Sequence, residues 1–135
     1  NGLKVILCVG ENERNEHGDH YHEIRRQIED AITKLPRKYI SHLVIAYEPV
    51  WAIGTGKVAT AEEAHQVASA IRAALNDNFG DNAANSRILY GGSVKANNVA
   101  GFLQSDQVDG VLVGGASLDA EEFAGISRFK KHIVL

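Results

Sequence analysis

The chain has 135 residues, of which 44% are hydrophobic and 23% are charged, and its formal net charge is −3. These values are typical of one soluble globular domain and argue against a disordered, collagen-like or disulfide-stapled chain. The charge balance gives no basic surface for nucleic acid, and no run reaches the ~18 apolar residues of a membrane span. The single Cys8 indicates a reducing compartment, and hence a cytoplasmic protein.

The first half of the chain alternates apolar runs with an amphipathic stretch. Residues 3–9 form an apolar run that ends at Gly10, which predicts a strand buried on both faces. Apolar residues at helical spacing from Ile24 to Leu35 predict a helix that Pro36 ends. The next apolar run, Leu43–Tyr47, predicts a second strand.

The second half continues the alternation. Thr60 and Glu63 form a capping box, which predicts the start of a helix that ends at Phe79-Gly80. The remaining predicted elements are a strand at 87–90, a helix at 96–103, a strand at 108–113 and a helix at 120–126.

Strand and helix alternate four times, which predicts a parallel α/β fold over residues 1–135. The carboxyl ends of parallel strands meet on one face, so the four loops that follow the strands should converge there. The absence of Met and the Asn1-Gly2 start predict a piece of a longer protein.

Glu48 is the strongest single candidate for chemistry because it follows an apolar strand and precedes a proline. A carboxylate that is partly withdrawn from water at such a strand end can act as a general base. The alternative is an ordinary polar residue at a strand end.

The loop after Glu48 combines features that loops usually lack. It carries the large apolar residues Trp51 and Ile53 beside Gly54 and Gly56. An apolar segment with small residues at its tip is typical of a lid that closes over a ligand. The alternative is a loop that simply packs on the surface.

Two glycine pairs follow the last two predicted strands, at Gly91-Gly92-Ser93 and at Gly114-Gly115. Successive backbone N–H groups beside a helix start can bind an anion, and glycine lets a ligand approach the backbone closely. Together with Gly54, the pairs predict a phosphate site. Either pair alone would be read as a tight turn.

Other motifs are weaker. Residues 54–59 match the spacing of a dinucleotide fingerprint but lie six residues beyond the end of the second strand, and Val58 stands where a P-loop needs Ser or Thr. The histidines at 17, 20 and 22 have no diagnostic metal-ligand spacing, so no metal site is predicted. Cys8 is interpreted as a small buried residue.

Residues 46–57, Ala-Tyr-Glu-Pro-Val-Trp-Ala-Ile-Gly-Thr-Gly-Lys, resemble the signature of the triosephosphate isomerase family. Segments 8–11, 90–94 and 112–118 resemble further motifs of the family in the same order. The resemblance implies the C-terminal half of a (β/α)8 TIM barrel, strands five to eight. It also implies a cofactor-free enzyme of glycolysis and gluconeogenesis that acts on a triose phosphate as a homodimer.

The resemblance implies a role for each matching residue. Glu48 is the expected base, and Glu11 and Tyr90 are expected to hold Trp51 and Ala59 when the lid closes. The expected phosphate-binding residues are Gly54, Ser93, Gly114 and Gly115. The other expected lid and hinge residues are Pro49, Val50, Trp51, Ala52, Ile53, Thr55, Gly56, Lys57, Val58 and Ala59.

The resemblance also implies that this chain lacks the family's electrophilic Lys and His, because those residues lie on strands that precede the ones matched here. An enediolate needs a group that stabilises its oxygen. We therefore expect the chain to be inactive without a missing N-terminal half-barrel. A non-catalytic half-barrel that binds phosphate and a different phosphate-binding barrel enzyme stay open as alternatives.

Overall fold

Residues 1–132 are described in a computed structural model, with their side chains as far as Lys130. Four parallel strands form one sheet in the order β1-β2-β3-β4. The strands are β1 Val5–Val9, β2 Leu43–Tyr47, β3 Arg87–Tyr90 and β4 Gly110–Val111. The α-helices are α1 Asp19–Ile32, α2 Ala61–Phe79, α3 Val99–Leu103 and α4 Ala120–Ser127. Short 3-10 helices lie at Arg37–His42, Val50–Ala52, Gly80–Ala83, Gly115–Leu118 and Phe129–His132.

Helix α2 is the longest helix, and its start is fixed by local chemistry. The Thr60 hydroxyl accepts a hydrogen bond from the Glu63 N–H at 3.1 Å, and the Glu63 carboxylate accepts one from the Thr60 N–H at 2.7 Å. This reciprocal arrangement satisfies two backbone donors at the helix start. The predicted capping box is therefore confirmed.

One apolar core lies between the sheet and the helices. Ile45 and Ile88 come from neighbouring strands, Ile28 comes from α1, and Ile71 and Leu75 come from α2. All five side chains are fully buried. Their burial supplies the main stabilisation of the fold, at roughly 1.5–3 kcal/mol for each side chain.

The register of the strands determines the position of Glu48. Val9 pairs with Tyr47, and Tyr47 pairs with Tyr90. The residues that follow these positions continue the pairing, because the Glu48 N–H donates to the Val9 carbonyl and the Gly91 N–H donates to the Tyr47 carbonyl, each at 2.8 Å. Glu48 therefore emerges in one row with its neighbours on the two adjacent strands.

Several predicted details were wrong. Strand β1 is not buried on both faces: Val5 and Ile6 are about half exposed and Cys8 is exposed, because β2 is its only partner strand within the described residues. Helix α1 ends at Ile32, so Leu35 lies beyond it. Strand β4 and helix α3 are shorter than predicted.

The described helices include none that is both long and apolar enough to cross a membrane.

Candidate active site

Glu48 lies between two glycines on the adjacent strand ends, and a side chain on either of them would collide with Glu48. A Cβ atom on Gly10 would overlap the Glu48 carbonyl oxygen. A Cβ atom on Gly91 would lie 2.8 Å from Cγ of Glu48 and 3.1 Å from its Oε1. The missing side chains thus leave room for the half-buried Glu48 carboxylate to point out of the strand ends.

Glu48 opens onto a cavity of about 660 Å³. The loops after β2, β3 and β4 contribute to its wall, whereas the loop after β1, which was also predicted to converge here, supplies none of its described lining residues. Its lining residues are Glu48, Ile53, Gly54, Gly91, Gly92, Ser93, Val94, Lys95, Leu112, Val113, Gly114, Gly115 and Ala116. Such a volume suits a small molecule.

The predicted phosphate-binding residues line this same cavity. Gly54 comes from the loop after Glu48, Ser93 from the loop after β3, and Gly114 and Gly115 from the loop after β4. Among the described residues, no hydrogen bond to another protein group uses the N–H of Gly54, Ser93 or Gly114. These N–H groups are available to an anion.

The predicted lid is anchored at both ends and exposed in its middle. Ala52 and Ala59 are buried, whereas residues 53–58 are exposed. The N-terminal part is a short 3-10 turn in which the Ala52 N–H donates to the Pro49 carbonyl at 2.9 Å. Thr55 folds back so that its hydroxyl lies 3.1 Å from the Trp51 and Ala52 carbonyls. The lid is therefore a compact loop whose outer part is not packed on the body of the protein.

Glu11 is fully buried and binds the N-terminal part of the lid. Its Oε1 accepts hydrogen bonds from the Trp51 indole N–H and the Tyr47 hydroxyl, each at 2.9 Å, and from Arg14 at 2.7 Å. Its carbonyl accepts from the Val50 N–H at 3.1 Å. Burial and the Glu11 charge raise the pKa of Tyr47, which keeps its hydroxyl a donor. The structure brings the predicted pair Glu11 and Trp51 into direct contact.

Tyr90, the second residue expected to support the lid, packs against helix α3. Its ring stacks on Phe102, with the ring centroids 4.0 Å apart. Its buried hydroxyl has no hydrogen-bond partner among the described residues, although the Ala59 N–H lies nearby. Burial raises the pKa of Tyr90 to about 12, so the hydroxyl keeps its proton and can donate or accept a hydrogen bond.

The cavity contains no histidine from the described part of the chain, and Lys95 is its one cationic residue there. His20 is buried instead at the start of α1, where burial lowers its pKa. Burial also raises the pKa of the Cys8 thiol, and the neighbouring Glu48 carboxylate raises it further. Cys8 is exposed, so the prediction that it is buried was wrong.

Sequence reasoning missed Arg14, which binds Glu11, Tyr47 and Glu63. The only sequence signal is its position three residues after Glu11, a spacing that occurs by chance in many loops.

Comparison with known proteins identifies relatives of the whole described region. The family model for triosephosphate isomerase matches residues 1–130. Triosephosphate isomerase from Leifsonia xyli subsp. xyli is 49% identical over 99% of this chain and 52% of its own length. The proteins of that name from Streptomyces avermitilis and Syntrophotalea carbinolica are each 50% identical over 96% of this chain, and 51% and 52% of their lengths. The chain thus spans about half the length of the curated relatives that it matches.

Proposed function

The chain belongs to the triosephosphate isomerase family, and we propose that it forms strands five to eight, the C-terminal half, of a (β/α)8 barrel. The position of the glycine loops supports this placement. Barrels of this kind often bind phosphate with the loops after their last two strands. Here those loops, after β3 and β4, present Ser93, Gly114 and Gly115 to one cavity.

The proposed reaction is the interconversion of dihydroxyacetone phosphate and D-glyceraldehyde 3-phosphate. Glu48 removes a proton from the carbon next to the substrate carbonyl, which produces an enediolate, and returns the proton to the adjacent carbon. The observation that carries the proposal is that this carboxylate and the exposed backbone N–H groups share one cavity. A general base and backbone N–H groups that can bind an anion, placed in one cavity, suit a short phosphorylated substrate.

The lid at 49–59 completes the proposed site. Gly54 and Ile53 already line the cavity, so closure of the lid brings a further N–H group to the phosphate and excludes water from the enediolate. Exclusion of water strengthens each electrostatic contact in the site. In the closed lid the Ala59 N–H donates to the neighbouring Tyr90 hydroxyl, which has no partner among the described residues.

The electrophile that stabilises the enediolate oxygen comes, in this proposal, from the other half of the barrel. Lys95 lies with Ser93 on the phosphate side of the cavity and is not assigned this role. The chain alone is therefore inactive, and the complete enzyme is a cytoplasmic homodimer without a cofactor.

The test is isomerase activity in a full-length protein that carries this chain. We expect Glu48→Gln to lower kcat by about 10²–10⁴-fold with a small change in KM, because only the base is lost. Glu16→Gln, at an exposed glutamate outside the site, serves as the matched control. Unchanged kcat in Glu48→Gln would refute the assignment.

A second assay separates the alternatives. The 135-residue chain alone should show no isomerase activity, and activity in a sample whose intact mass excludes a complementary chain contradicts the half-site proposal. If the full-length protein binds inorganic phosphate at Gly114 and Gly115 without turning over either triose phosphate, it is a binding module.

A further inference from the structure

We propose that Arg14 is a positioning residue that ties the two ends of the lid to one another. The inference rests on the proposed function, in which the lid at 49–59 closes over the cavity. It starts from a buried charge: Glu11 has no exposed surface, and an isolated buried carboxylate is strongly unfavourable. Arg14 supplies the opposite charge, with its Nε 2.7 Å from Oε1 of Glu11.

The first lid end is held through this pair. Trp51 donates its indole N–H to the same Glu11 oxygen at 2.9 Å, and the Arg14 guanidinium lies over the Trp51 ring, with its carbon 5.5 Å from the ring centroid. The cation and the hydrogen bond together fix both the edge and the face of the indole. Loss of Arg14 thus removes the cation–π contact with Trp51 and weakens the positioning of Glu11, which accepts the indole hydrogen bond.

The second lid end is held through a different nitrogen of the same guanidinium. Its Nη1 lies 3.1 Å from Oε1 of Glu63, whose other oxygen accepts the Thr60 N–H at 2.7 Å. Thr60 follows Ala59, the last residue of the lid. Helix α2 and the end of the lid are therefore connected to Glu11 through one side chain.

The geometry needs arginine rather than any cation. Three nitrogens of Arg14 act in three directions: Nε towards Glu11, Nη1 towards Glu63, and Nη2 towards the Tyr47 hydroxyl at 2.8 Å. A planar guanidinium holds these directions rigidly, whereas a lysine ammonium is a single point charge on a flexible stem. Arg14 and Lys57 line one cavity of about 440 Å³, and no hydrogen bond or ion pair in the described part of the chain joins Arg14 to residues 53–58, so this contact does not hold the middle of the lid.

The experiment uses the full-length protein and compares Arg14→Gln, Arg14→Lys and the control Arg25→Gln. Arg25 forms surface ion pairs with Glu29 and Asp77, far along the chain from the lid. Because small misplacements of a closing lid are costly, we expect both Arg14 variants to lose about tenfold in kcat. KM should change less than threefold, and Arg25→Gln should match wild type.

Hydrogen exchange distinguishes positioning from general stability. In Arg14→Gln the Trp51 indole N–H and the Thr60 amide should both exchange at least tenfold faster, while amides in the centre of α2 keep wild-type rates. If Arg14→Gln does not fold, Glu63→Gln decides the question. Its neutral side chain can still accept from the Thr60 N–H but no longer forms an ion pair with Arg14. Exchange should therefore rise at Thr60, where the link to Arg14 is lost, but not at Trp51, which keeps its contacts with Glu11 and Arg14.

Each outcome bears on one claim. Recovery of wild-type kcat in Arg14→Lys shows that charge alone suffices and overturns the inference, as do wild-type exchange rates at both lid ends in Arg14→Gln. Absence of isomerase activity in the wild-type full-length protein refutes the proposed function instead.

Discussion

Replacement of Gly91 by alanine tests the placement of Glu48 directly. The added Cβ atom would lie 2.8 Å from Cγ of Glu48, about 0.6 Å inside the 3.4 Å at which ordinary contact begins. The backbone at Gly91 has no positive φ, so alanine introduces no backbone strain of its own. Relief of the contact requires Glu48 to turn away from its position on the strand end.

The size of the effect follows from that displacement. A misplacement of 1 Å can lower an enzymatic rate by about 10²-fold, and overpacking costs about 1–3 kcal/mol of stability. For a shift of about 0.6 Å at Cγ, which grows towards the carboxylate, we expect kcat to fall by about 10–100-fold. The proposed phosphate-binding residues are unchanged, so KM should change little.

The assay is steady-state isomerase kinetics of the full-length protein at a temperature at which circular dichroism shows it fully folded. Gly101→Ala in α3 is the matched control, because the added Cβ would lie 3.7 Å from the Cβ of Ala61 in α2, which is an ordinary contact. The control should keep kcat within twofold of wild type. A Gly91→Ala variant that is equally active would show that the observed carboxylate position is not the catalytic one.

Three further predictions concern stability, each measured by urea unfolding of the full-length protein. Ile71→Ala should cost about 2–5 kcal/mol because the side chain is fully buried, and a loss below 1 kcal/mol would contradict that burial. Arg72→Ala should cost about 2 kcal/mol, more than Asp109→Asn, because Arg72 also donates to two backbone carbonyls; equal losses would contradict this. The hydrogen bond from Thr60 lowers the pKa of Glu63, so Glu63 stabilises the fold above its ordinary pKa of 4.5. The advantage of wild type over Glu63→Gln, below about 1 kcal/mol at pH 7, should therefore disappear as the pH falls through the lowered pKa; a constant gap would refute it.

Sequence reasoning predicted the elements whose signals are local. The capping box located the start of α2, and the apolar run before Pro49 located β2, because both depend on residues near in sequence. Helix α3 begins at Val99 rather than Ala96, and the Ala96 N–H donates to the Glu122 carboxylate at 2.7 Å. Ala96 and Glu122 are 26 positions apart, and the spacing of apolar residues in the sequence gives no sign of such a contact.

The candidate site likewise combines residues that could be predicted from the sequence with long-range contacts that could not. Glu48, Gly54, Ser93, Gly114 and Gly115 could be named from the sequence because they lie in loops that follow strands, and parallel strands place their carboxyl ends together. Lys95, Leu112, Val113 and Ala116 also line the cavity but were not predicted as site residues. The Glu11–Trp51 contact follows from the resemblance, but the role of Arg14 could not be predicted, because Glu63 and Tyr47 lie far from Arg14 along the chain. A charged residue in a loop has many available partners, and only the packed structure selects one.

The proposed division of the site between two half-barrels agrees with the way this chain positions Glu48. Register fixes Gly10, Glu48 and Gly91 in a row, so the proposed base is placed by the pairing of three consecutive strands. The proposed lid begins at the residue after Glu48, and Glu11, which accepts a hydrogen bond from Trp51 of that lid, follows the first of the same strands. The proposed base and the N-terminal part of the proposed lid are therefore positioned by contacts within this chain. The proposed electrophile must face the enediolate oxygen, and in this proposal it comes from strands outside this chain.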